Sequence, residues 1–395
     1  MTILRKALFE LPEGVIYLDG NSLGPLPKTV QAKLAQVIGE EWGAGLIRSW
    51  NNAGWMAQPQ RVGNLIAPLL GAPADSVMMG DTLSIKVYQA LSAALEMRPE
   101  RRVVLSDSGN FPTDLYMAQG LLQSLDRGYE LRIVEPDQIA ESITEEVAAV
   151  MLTQVDYRSG RMHDMHAITA QAHSAGAVMI WDLAHSAGAI PLALTESECE
   201  FAVGCTYKYL NGGPGAPAFI YVRPDLIEQV RPCLSGWLGH AEPFAFAPEY
   251  HPAASIERMR VGTPPVLQMA ALEAALAVWQ DVDMQELRAA SIALAETFIR
   301  EVELHCPALT LASPRDPAQR GSQVSFACAE GYAVMQALIS RGVIGDFRAP
   351  DMMRFGFTPL YLDENDVLAA VDILADVLNK ELWNRPEFQQ RSAVT

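Results

Sequence analysis

The sequence lacks any apolar run of the about 18 residues that a membrane-spanning helix needs. Its first residues also lack the succession of basic, apolar and small residues that marks an export signal. The chain has 395 residues, of which 50% are apolar, so it can bury a large core and is expected to form two domains. These features predict a globular, cytoplasmic protein with no membrane partner.

Basic side chains and paired cysteines are also scarce. There are 29 Lys and Arg against 47 Asp and Glu, for a formal charge of −18. This disfavours a nucleic-acid partner, because phosphate binding draws on clustered Lys and Arg. The five cysteines form no CxxC pair, and His163, His166 and His173 lack the spacing of metal ligands. We therefore expect reduced, mostly buried thiols and no metal site.

Short apolar runs alternate with amphipathic stretches between residues 76 and 222, as in β/α units around a mainly parallel sheet. The predicted strands are Val103–Leu105, Leu131–Val134, Ala148–Leu152, Val178–Trp181, Phe201–Cys205 and Phe219–Val222. The predicted helices between them are Ser84–Met97, Asp114–Ser124 and His166–Ala175.

The remainder of the chain has long helical patterns around short strands. The predicted helices are Pro264–Trp279, Glu286–Glu303, Tyr332–Arg341 and Glu364–Leu378, and the predicted strands are Gln323–Ala327 and Met353–Phe357. The prediction is an α/β fold with a large, doubly wound, mainly parallel-sheet domain over residues 41–262. A smaller α+β domain would comprise residues 1–40 and 263–395.

Ligands of open α/β sheets gather beyond the C-terminal ends of the strands, and two such places carry charged residues. Asp182 ends the apolar run Val178–Trp181, where a buried carboxylate is costly unless it meets a cation such as a protonated pyridine nitrogen. A helix N-cap is the alternative role. Lys208 lies between two tyrosines after the next strand, where burial would make its amine nucleophilic enough for a Schiff base. Taken alone, it is equally compatible with an ordinary solvated lysine.

Two further segments suit the other parts of an aromatic, phosphorylated cofactor. At Gly80–Ser84 a strand gives way to a helix near Leu83, whose free N–H groups would bind a phosphate without basic side chains. Phe111 could stack on an aromatic ring, beside the hydroxyl of Thr113 and the carboxylate of Asp114. Ordinary helix starts explain both segments equally well.

These segments resemble the kynureninase family, in the class V aminotransferase-like branch of the fold type I pyridoxal-phosphate enzymes. The segments that carry the resemblance are Tyr17–Gly24, Phe111–Asp114, Trp181–Gly188 and Thr206–Gly215, and it extends through almost the entire chain. It implies the fold type I transferase architecture and pyridoxal 5′-phosphate as cofactor. The implied activity is hydrolysis of L-kynurenine to anthranilate and L-alanine, in tryptophan catabolism through the kynurenine pathway and in NAD biosynthesis. 3-Hydroxykynurenine is a further candidate substrate.

The resemblance also assigns roles to single residues. Lys208 would carry the cofactor, Asp182 would pair with the pyridine nitrogen, and both would be catalytic together with Tyr207. The other implied cofactor contacts are Leu83 and Ser84 with Tyr207 on the phosphate, Phe111 on the ring, and Pro112, Thr113, Asp114, Thr153 and His185 around it.

Two positions match residues that reach the cofactor from a neighbouring subunit in relatives, namely Trp237 and Thr263. The resemblance therefore implies a homodimer with its active site at the subunit interface. Thr263 stands where animal enzymes carry Asn, and a hydroxyl cannot replace both hydrogen-bonding groups of an amide. The preference between plain and ring-hydroxylated kynurenine stays open.

Arg354 lies in the segment Met353–Tyr361, which resembles the segment whose arginine grips the α-carboxylate of the substrate. A guanidinium fork suits this role through two parallel charge-assisted bonds, although an unrelated salt bridge is the alternative. Trp50 is a candidate contact for the aromatic ring of the substrate, against the more usual role of tryptophan in cores.

Two rival functions remain open at this point. A cysteine desulfurase or selenocysteine lyase of the same branch would need a mobile-loop cysteine and typically His, rather than Tyr207, before the lysine. Cys306 and Cys328 do not stand in such a loop. A catalytically silent scaffold protein would usually lack Lys208 or Asp182, and both are present.

Overall fold

The computed structural model describes residues 3–390. Its strands are β1 (Phe9–Glu10), β2 (Ile16–Tyr17), β3 (Leu26–Pro27), β4 (Val77–Met79), β5 (Val103–Asp107), β6 (Glu130–Val134), β7 (Val147–Thr153), β8 (Val178–Asp182), β9 (Phe201–Gly204), β10 (Phe219–Val222), β11 (Thr310–Leu311), β12 (Gln323–Ala327), β13 (Val343–Ile344), β14 (Asp346–Arg348) and β15 (Met352–Gly356).

The α-helices are α1 (Thr29–Gln36), α2 (Ser49–Asn52), α3 (Gln58–Ile66), α4 (Leu83–Met97), α5 (Pro112–Leu125), α6 (Ile139–Ser142), α7 (Met165–Ser174), α8 (Leu194–Ser197), α9 (Val266–Ala275), α10 (Met284–His305), α11 (Gly331–Ile339), α12 (Glu364–Asn379) and α13 (Pro386–Gln389). A π-helical segment, Val37–Gly45, follows α1, and a 3₁₀ turn, Leu276–Trp279, extends α9. No helix within residues 3–390 has the length and apolar character needed to cross a lipid bilayer.

The larger sheet has seven strands in the order β4-β10-β9-β8-β7-β5-β6. Strands β5 to β9 run parallel, whereas β10 is antiparallel to both of its neighbours. Helices cover both faces, so a central strand such as β7 is buried along its whole length and its sequence is a continuous apolar run. The C-terminal ends of β4, β5, β7, β8 and β9 therefore meet at one edge of the sheet, as the α/β prediction requires.

The smaller sheet is antiparallel, in the order β11-β12-β15-β14. Phe298 of α10 packs its ring against Phe326 of β12, Phe355 of β15 and Phe357, at centroid distances of 4.9 to 6.1 Å. The N-terminal segment joins this part of the molecule, because β2 pairs in parallel with β13. The predicted fold class is confirmed, whereas the domain limits at residues 41 and 262 stay a prediction.

Candidate active site

Asp182 and Thr153 are the last residues of two adjacent parallel strands, β8 and β7, and they are paired across the sheet. Asp182 is 2% exposed, accepts a hydrogen bond from the Ala184 amide at 2.9 Å and lies 3.5 Å from the Thr153 hydroxyl. No Lys or Arg in the described part of the chain forms a salt bridge with this carboxylate. A buried carboxylate without a cationic partner is costly, so the arrangement suits a ligand that brings a positive charge.

Lys208 lies four residues beyond the end of β9, in a loop held by its own backbone. The Gly212 amide donates to the Thr206 carbonyl at 2.9 Å, and Asn211 has a positive φ of 62°. From the N-terminal segment, Gly24 packs so closely that a Cβ there would lie 2.3 Å from the Lys208 carbonyl oxygen. This contact explains why the Tyr17–Gly24 motif needs a glycine at that position.

The amine of Lys208 lies 2.8 Å from Nε2 of His185, which is buried. Burial, together with the positive charge of Lys208, holds the pKa of His185 well below its usual value. The imidazole is therefore neutral and accepts a hydrogen bond from the lysine. Its Nδ1 atom has no partner within the described residues, so it is free to bond a ligand.

A second buried carboxyl group, that of Asp114 in the first turn of α5, adjoins Asp182. Burial and the neighbouring Asp182 raise the pKa of Asp114 well above its usual value, while burial raises the pKa of Asp182 to about 6. Lys208 acts in the opposite direction and lowers the pKa of both carboxyl groups. The two carboxyls therefore share one proton, which Asp114 holds and donates towards an ionised Asp182.

Phe111 caps the N-terminus of α5 and is 42% exposed, with its ring edge-on to Tyr157 at 5.1 Å. The exposed part of the Phe111 ring can stack against a flat aromatic ring. Pro112 and Thr113 form the first turn of the helix behind it, so the predicted Phe111–Asp114 segment acts as one unit that delivers Phe111 and Asp114 to the same cavity wall.

The N-terminus of α4 lies at the end of β4. Leu83 and Ser84 are its first two residues, and the Thr82 side chain makes no capping bond, so their N–H groups are free for an anion. Beneath the turn lies Lys86, which is fully buried and hydrogen-bonds Asp81 at 3.3 Å. Its amine is paired with the Asp81 carboxylate, and burial lowers its pKa. Sequence reasoning had not identified this residue.

Arg354 is 1% exposed in β15, and its guanidinium bonds Asp346, Ser22 and the carbonyl of Tyr157. Its charge lowers the pKa of His185, which places it on the Lys208 side of the site. Ser22 lies within a motif that the sequence had singled out. Asp346 and Tyr157 were missed, and the only signal for Asp346 is a charged residue shortly after the apolar pair Val343–Ile344.

Three predicted site residues lie apart from this group. Trp50 packs edge-on against Trp55 at 5.7 Å, and Trp237 is 41% exposed beside Phe244. Thr263 is exposed in a small cleft next to the α4 turn. No hydrogen bond, ion pair or ring contact within residues 3–390 joins them to Lys208 of the same chain, so their roles stay predictions. Nor do the described residues contain a group of three or more His, Cys, Asp or Glu placed to hold a metal.

Known proteins resemble this chain along nearly its whole length. The profile of the kynureninase C-terminal domain matches residues 287–374, and that of the DegT/DnrJ/EryC1/StrS aminotransferase family matches residues 118–192. Kynureninase from Pseudomonas fluorescens is 52% identical over 394 residues, covering 98% of this chain and 95% of that protein. The chain belongs to the kynureninase family. Kynureninase from Burkholderia mallei (strain SAVP1) is 51% identical with the same coverage.

Among solved structures, the apo form of a cysteine desulfurase from Thermococcus onnurineus NA1 has a TM-score of 0.81 at 17% identity. The match covers 95% of this kynureninase-family chain and 98% of the desulfurase. At that identity the likeness concerns the fold, which is that of the fold type I pyridoxal-phosphate enzymes. Cys306 is buried and Cys328 is half-buried, so neither is placed as an exposed sulfur acceptor.

The cofactor of this kynureninase-family chain is pyridoxal 5′-phosphate, and the buried groups fit its parts. Asp182 forms no salt bridge within the described part of the chain, as expected for a partner of the pyridinium nitrogen, and the ring of Phe111 is partly exposed. The unpartnered Nδ1 of His185 and Oδ2 of Asp114 mark polar positions around it. The free N–H groups of α4 suit its phosphate.

Proposed function

We propose that this protein hydrolyses L-kynurenine with water to anthranilate and L-alanine, in tryptophan catabolism by the kynurenine pathway, and that it acts in the cytoplasm. The observation that carries the proposal is the pairing of a lysine amine with a neutral histidine, near a buried carboxylate that forms no salt bridge within residues 3–390. The membership of the chain in the kynureninase family supports it. The absence of paired cysteines in the described residues agrees with a reducing compartment.

Holding the cofactor is divided among several elements. Lys208 binds it covalently, Asp182 keeps its pyridine nitrogen protonated, and Phe111 covers one ring face. The N–H groups of Leu83 and Ser84, with the Tyr207 hydroxyl, bind the phosphate, and Thr153 and Asp114 orient Asp182 through hydrogen bonds. When bound, pyridoxal phosphate withdraws electrons from the substrate carbons next to the amine.

The remaining steps are proton transfers by residues of the chain. Lys208 would remove the Cα proton of the substrate, and neutral His185 would orient the lysine amine by accepting its hydrogen bond. Burial and the adjacent Cys205 raise the pKa of Tyr207, so the phenol stays protonated as a donor. Water adds to the side-chain ketone and the Cβ–Cγ bond breaks. The ketone carbon leaves as the carboxylate of anthranilate, and Cβ takes a proton and becomes the methyl group of alanine.

Substrate orientation falls to Arg354, whose guanidinium binds the α-carboxylate of kynurenine by charge-assisted hydrogen bonds. The protein works as a homodimer, in which Trp237 and Thr263 reach the cofactor of the neighbouring subunit and Trp50 contributes to the aromatic end of the substrate site. The exposure of Trp237 and Thr263 in the single chain agrees with this proposal.

The test is incubation of the cofactor-loaded protein with L-kynurenine, 3-hydroxykynurenine and L-cysteine in parallel, following anthranilate, its hydroxylated analogue and sulfide. We expect anthranilate and alanine in equal amounts. Lys208→Ala should lower kcat by at least about 10³-fold, because both the covalent attachment and the Cα proton transfer are lost. Lys380→Ala, which alters a mostly exposed lysine, is the matched control and should leave kcat unchanged.

Two results would contradict the proposal. One is sulfide release from L-cysteine without cleavage of kynurenine. The other is repeated turnover by Lys208→Ala at a near-native rate.

A further inference from the structure

Asp346 lies directly opposite Arg354 in the antiparallel pair β14–β15, so the two side chains share one face of the sheet. The carboxylate is 3% exposed and binds the guanidinium at two points. Nε of Arg354 is 2.6 Å from Oδ1, and Nη2 donates to Oδ2. This fork-to-fork contact fixes the rotation of the guanidinium as well as its position.

Asp346 is itself held by two further donors. The hydroxyl of Ser22 lies 3.1 Å from Oδ2 and also 3.1 Å from Nη2 of Arg354, so it bridges the ion pair. Arg348, whose side chain is 44% exposed, reaches the same oxygen at 2.9 Å. One buried carboxylate is therefore surrounded by two arginines and a hydroxyl.

Asp346 binds the Nε and Nη2 atoms of Arg354 and leaves Nη1. Nη1 donates to the carbonyl of Tyr157, whose ring contacts Phe111. The charges of Arg354 and Arg348 also act on His185, the partner of Lys208. The Nε–Nη2 edge of the guanidinium is thus used by Asp346, and Nη1 lies on the side of Tyr157 and Phe111.

We propose that Asp346 is the positioning residue of the α-carboxylate subsite, which orients Arg354 so that its Nη1 edge meets the carboxylate of the amino-acid substrate. This inference rests on the proposed function, since it names how the same site selects α-amino acids. Asp346 touches neither substrate nor cofactor and acts through Arg354. Arg348 supplies a second positive charge beside Asp346.

A purely structural ion pair predicts a different result from a positioning role. If Asp346 only stabilised the small sheet, its loss would affect every ligand equally. If it orients Arg354, its loss should weaken ligands that carry the α-carboxylate and spare those that lack it. The amine obtained from kynurenine by decarboxylation keeps the aromatic ketone and the amine, and therefore separates the two cases.

The experiment compares KM and kcat for L-kynurenine with the inhibition constant of the decarboxylated amine, in the wild type and in Asp346→Asn. We expect KM to rise on the order of 10- to 100-fold, since a misplacement of about 1 Å can cost up to about 10²-fold. The inhibition constant of the amine should change by less than about twofold, and kcat by less than about threefold. Asp376→Asn, which alters the ion pair with Arg341 on the outer surface of the small domain, is the matched control and should leave all three constants unchanged.

Asp346→Asn removes the two-point partner of Arg354, which could destabilise the fold, so a second pair of variants controls for misfolding. Ser22→Ala and Arg348→Gln each remove one partner of Asp346 and should raise KM for kynurenine without weakening the amine. Equal weakening of both ligands, or an unchanged KM in all three variants, would overturn the positioning role. A wild-type protein that does not cleave kynurenine would overturn the proposed function instead.

Discussion

Asp19 shows how far burial changes a single carboxyl group in this protein. It lies beside Asp346, and burial with repulsion from that carboxylate raises its pKa to about 7, against the opposing effects of Ser22 and Arg354. Its Oδ1 has no partner among the described residues. Asp19 is therefore protonated in mildly acidic solution and ionises near neutral pH.

The pKa shift of Asp19 predicts a pH-dependent stability. Its unfolded-state pKa is about 3.9, so between that value and about 7 the folded protein holds a proton that the unfolded chain releases. The stabilisation is complete at the acid end and is lost as the pH rises through about 7. The free energy of unfolding in urea is measured for the wild type and for Asp19→Asn. The wild-type value minus the variant value should fall by about 2 kcal/mol from pH 5 to pH 7.

The control for this prediction is Asp376→Asn. The Lys380 side chain holds the pKa of Asp376 below its usual value, so that group stays ionised from pH 5 to 7 and its effect should be constant. A constant difference for Asp19→Asn as well would show that Asp19 does not titrate in this range.

Single residues differ in how well the sequence predicts them. The proximity of Asp182 and Lys208 could be predicted because Asp182 ends one apolar strand and Lys208 lies four residues beyond the next, and strand ends of a parallel sheet lie together. Asp346 could not, because its importance arises from a cross-strand pairing with Arg354 that no local pattern encodes. Lys86 was missed for a similar reason, since only the tertiary fold buries its amine against Asp81.

At the scale of elements, the long strands and helices were predicted within a few residues. The predicted strand Phe219–Val222 coincides with β10, and the predicted helix Glu364–Leu378 is one residue shorter than α12. Two-residue strands such as β2 and β13 were missed, because their pairing is long-range and so short a run has no detectable period. The sequence pattern did not predict the π-helical segment Val37–Gly45 either.

The contact between α3 and β4 predicts a large effect for one methyl group. A Cβ on Gly63 of α3 would lie 2.2 Å from the carbonyl oxygen of Val77 in β4. Gly63→Ala should therefore destabilise the protein by about 1–3 kcal/mol through overpacking, despite the better helix propensity of alanine.

Gly120, in the middle of α5, is the matched control because nothing lies within 4 Å of the Cβ that would be added. Gly120→Ala should stabilise the protein by about 0.5–1 kcal/mol. The free energy of unfolding in urea measures both changes, and stabilisation by both substitutions would show that α3 does not approach β4 so closely.

At the scale of the whole molecule, the single chain leaves large apolar side chains in contact with water. Four of them lie within the short stretch from residue 38 to residue 47, namely Ile38, Trp42, Leu46 and Ile47, with Ile47 77% exposed. Apolar side chains concentrated in this way mark an interaction surface. They are natural candidates for the interface of the proposed homodimer.

A charged residue at that surface should therefore weaken the dimer. Ile47→Asp would bury an unpaired carboxylate at the interface, at a cost of about 3 kcal/mol, or about 100-fold in the dimer dissociation constant. Sedimentation velocity at several concentrations should show monomer. The value of kcat should fall as well if Trp237 and Thr263 reach the neighbouring subunit as proposed. Leu304→Asp, at a position 68% exposed on α10, should change neither. A dimer unaffected by Ile47→Asp would place the interface elsewhere.

The N-terminus of α4 has a consequence for how fast the cofactor enters. A chain with a formal charge of −18 repels an approaching phosphate at long range, whereas the helix end attracts it only at short range. At 0.1 M salt the repulsion between the chain and the phosphate extends only about 10 Å. The attraction between the phosphate and the N-terminus of α4 acts at short range and is largely unaffected. The rate at which pyridoxal phosphate binds to the cofactor-free protein should thus increase as ionic strength rises. A phosphate site built from surface lysines would show the reverse.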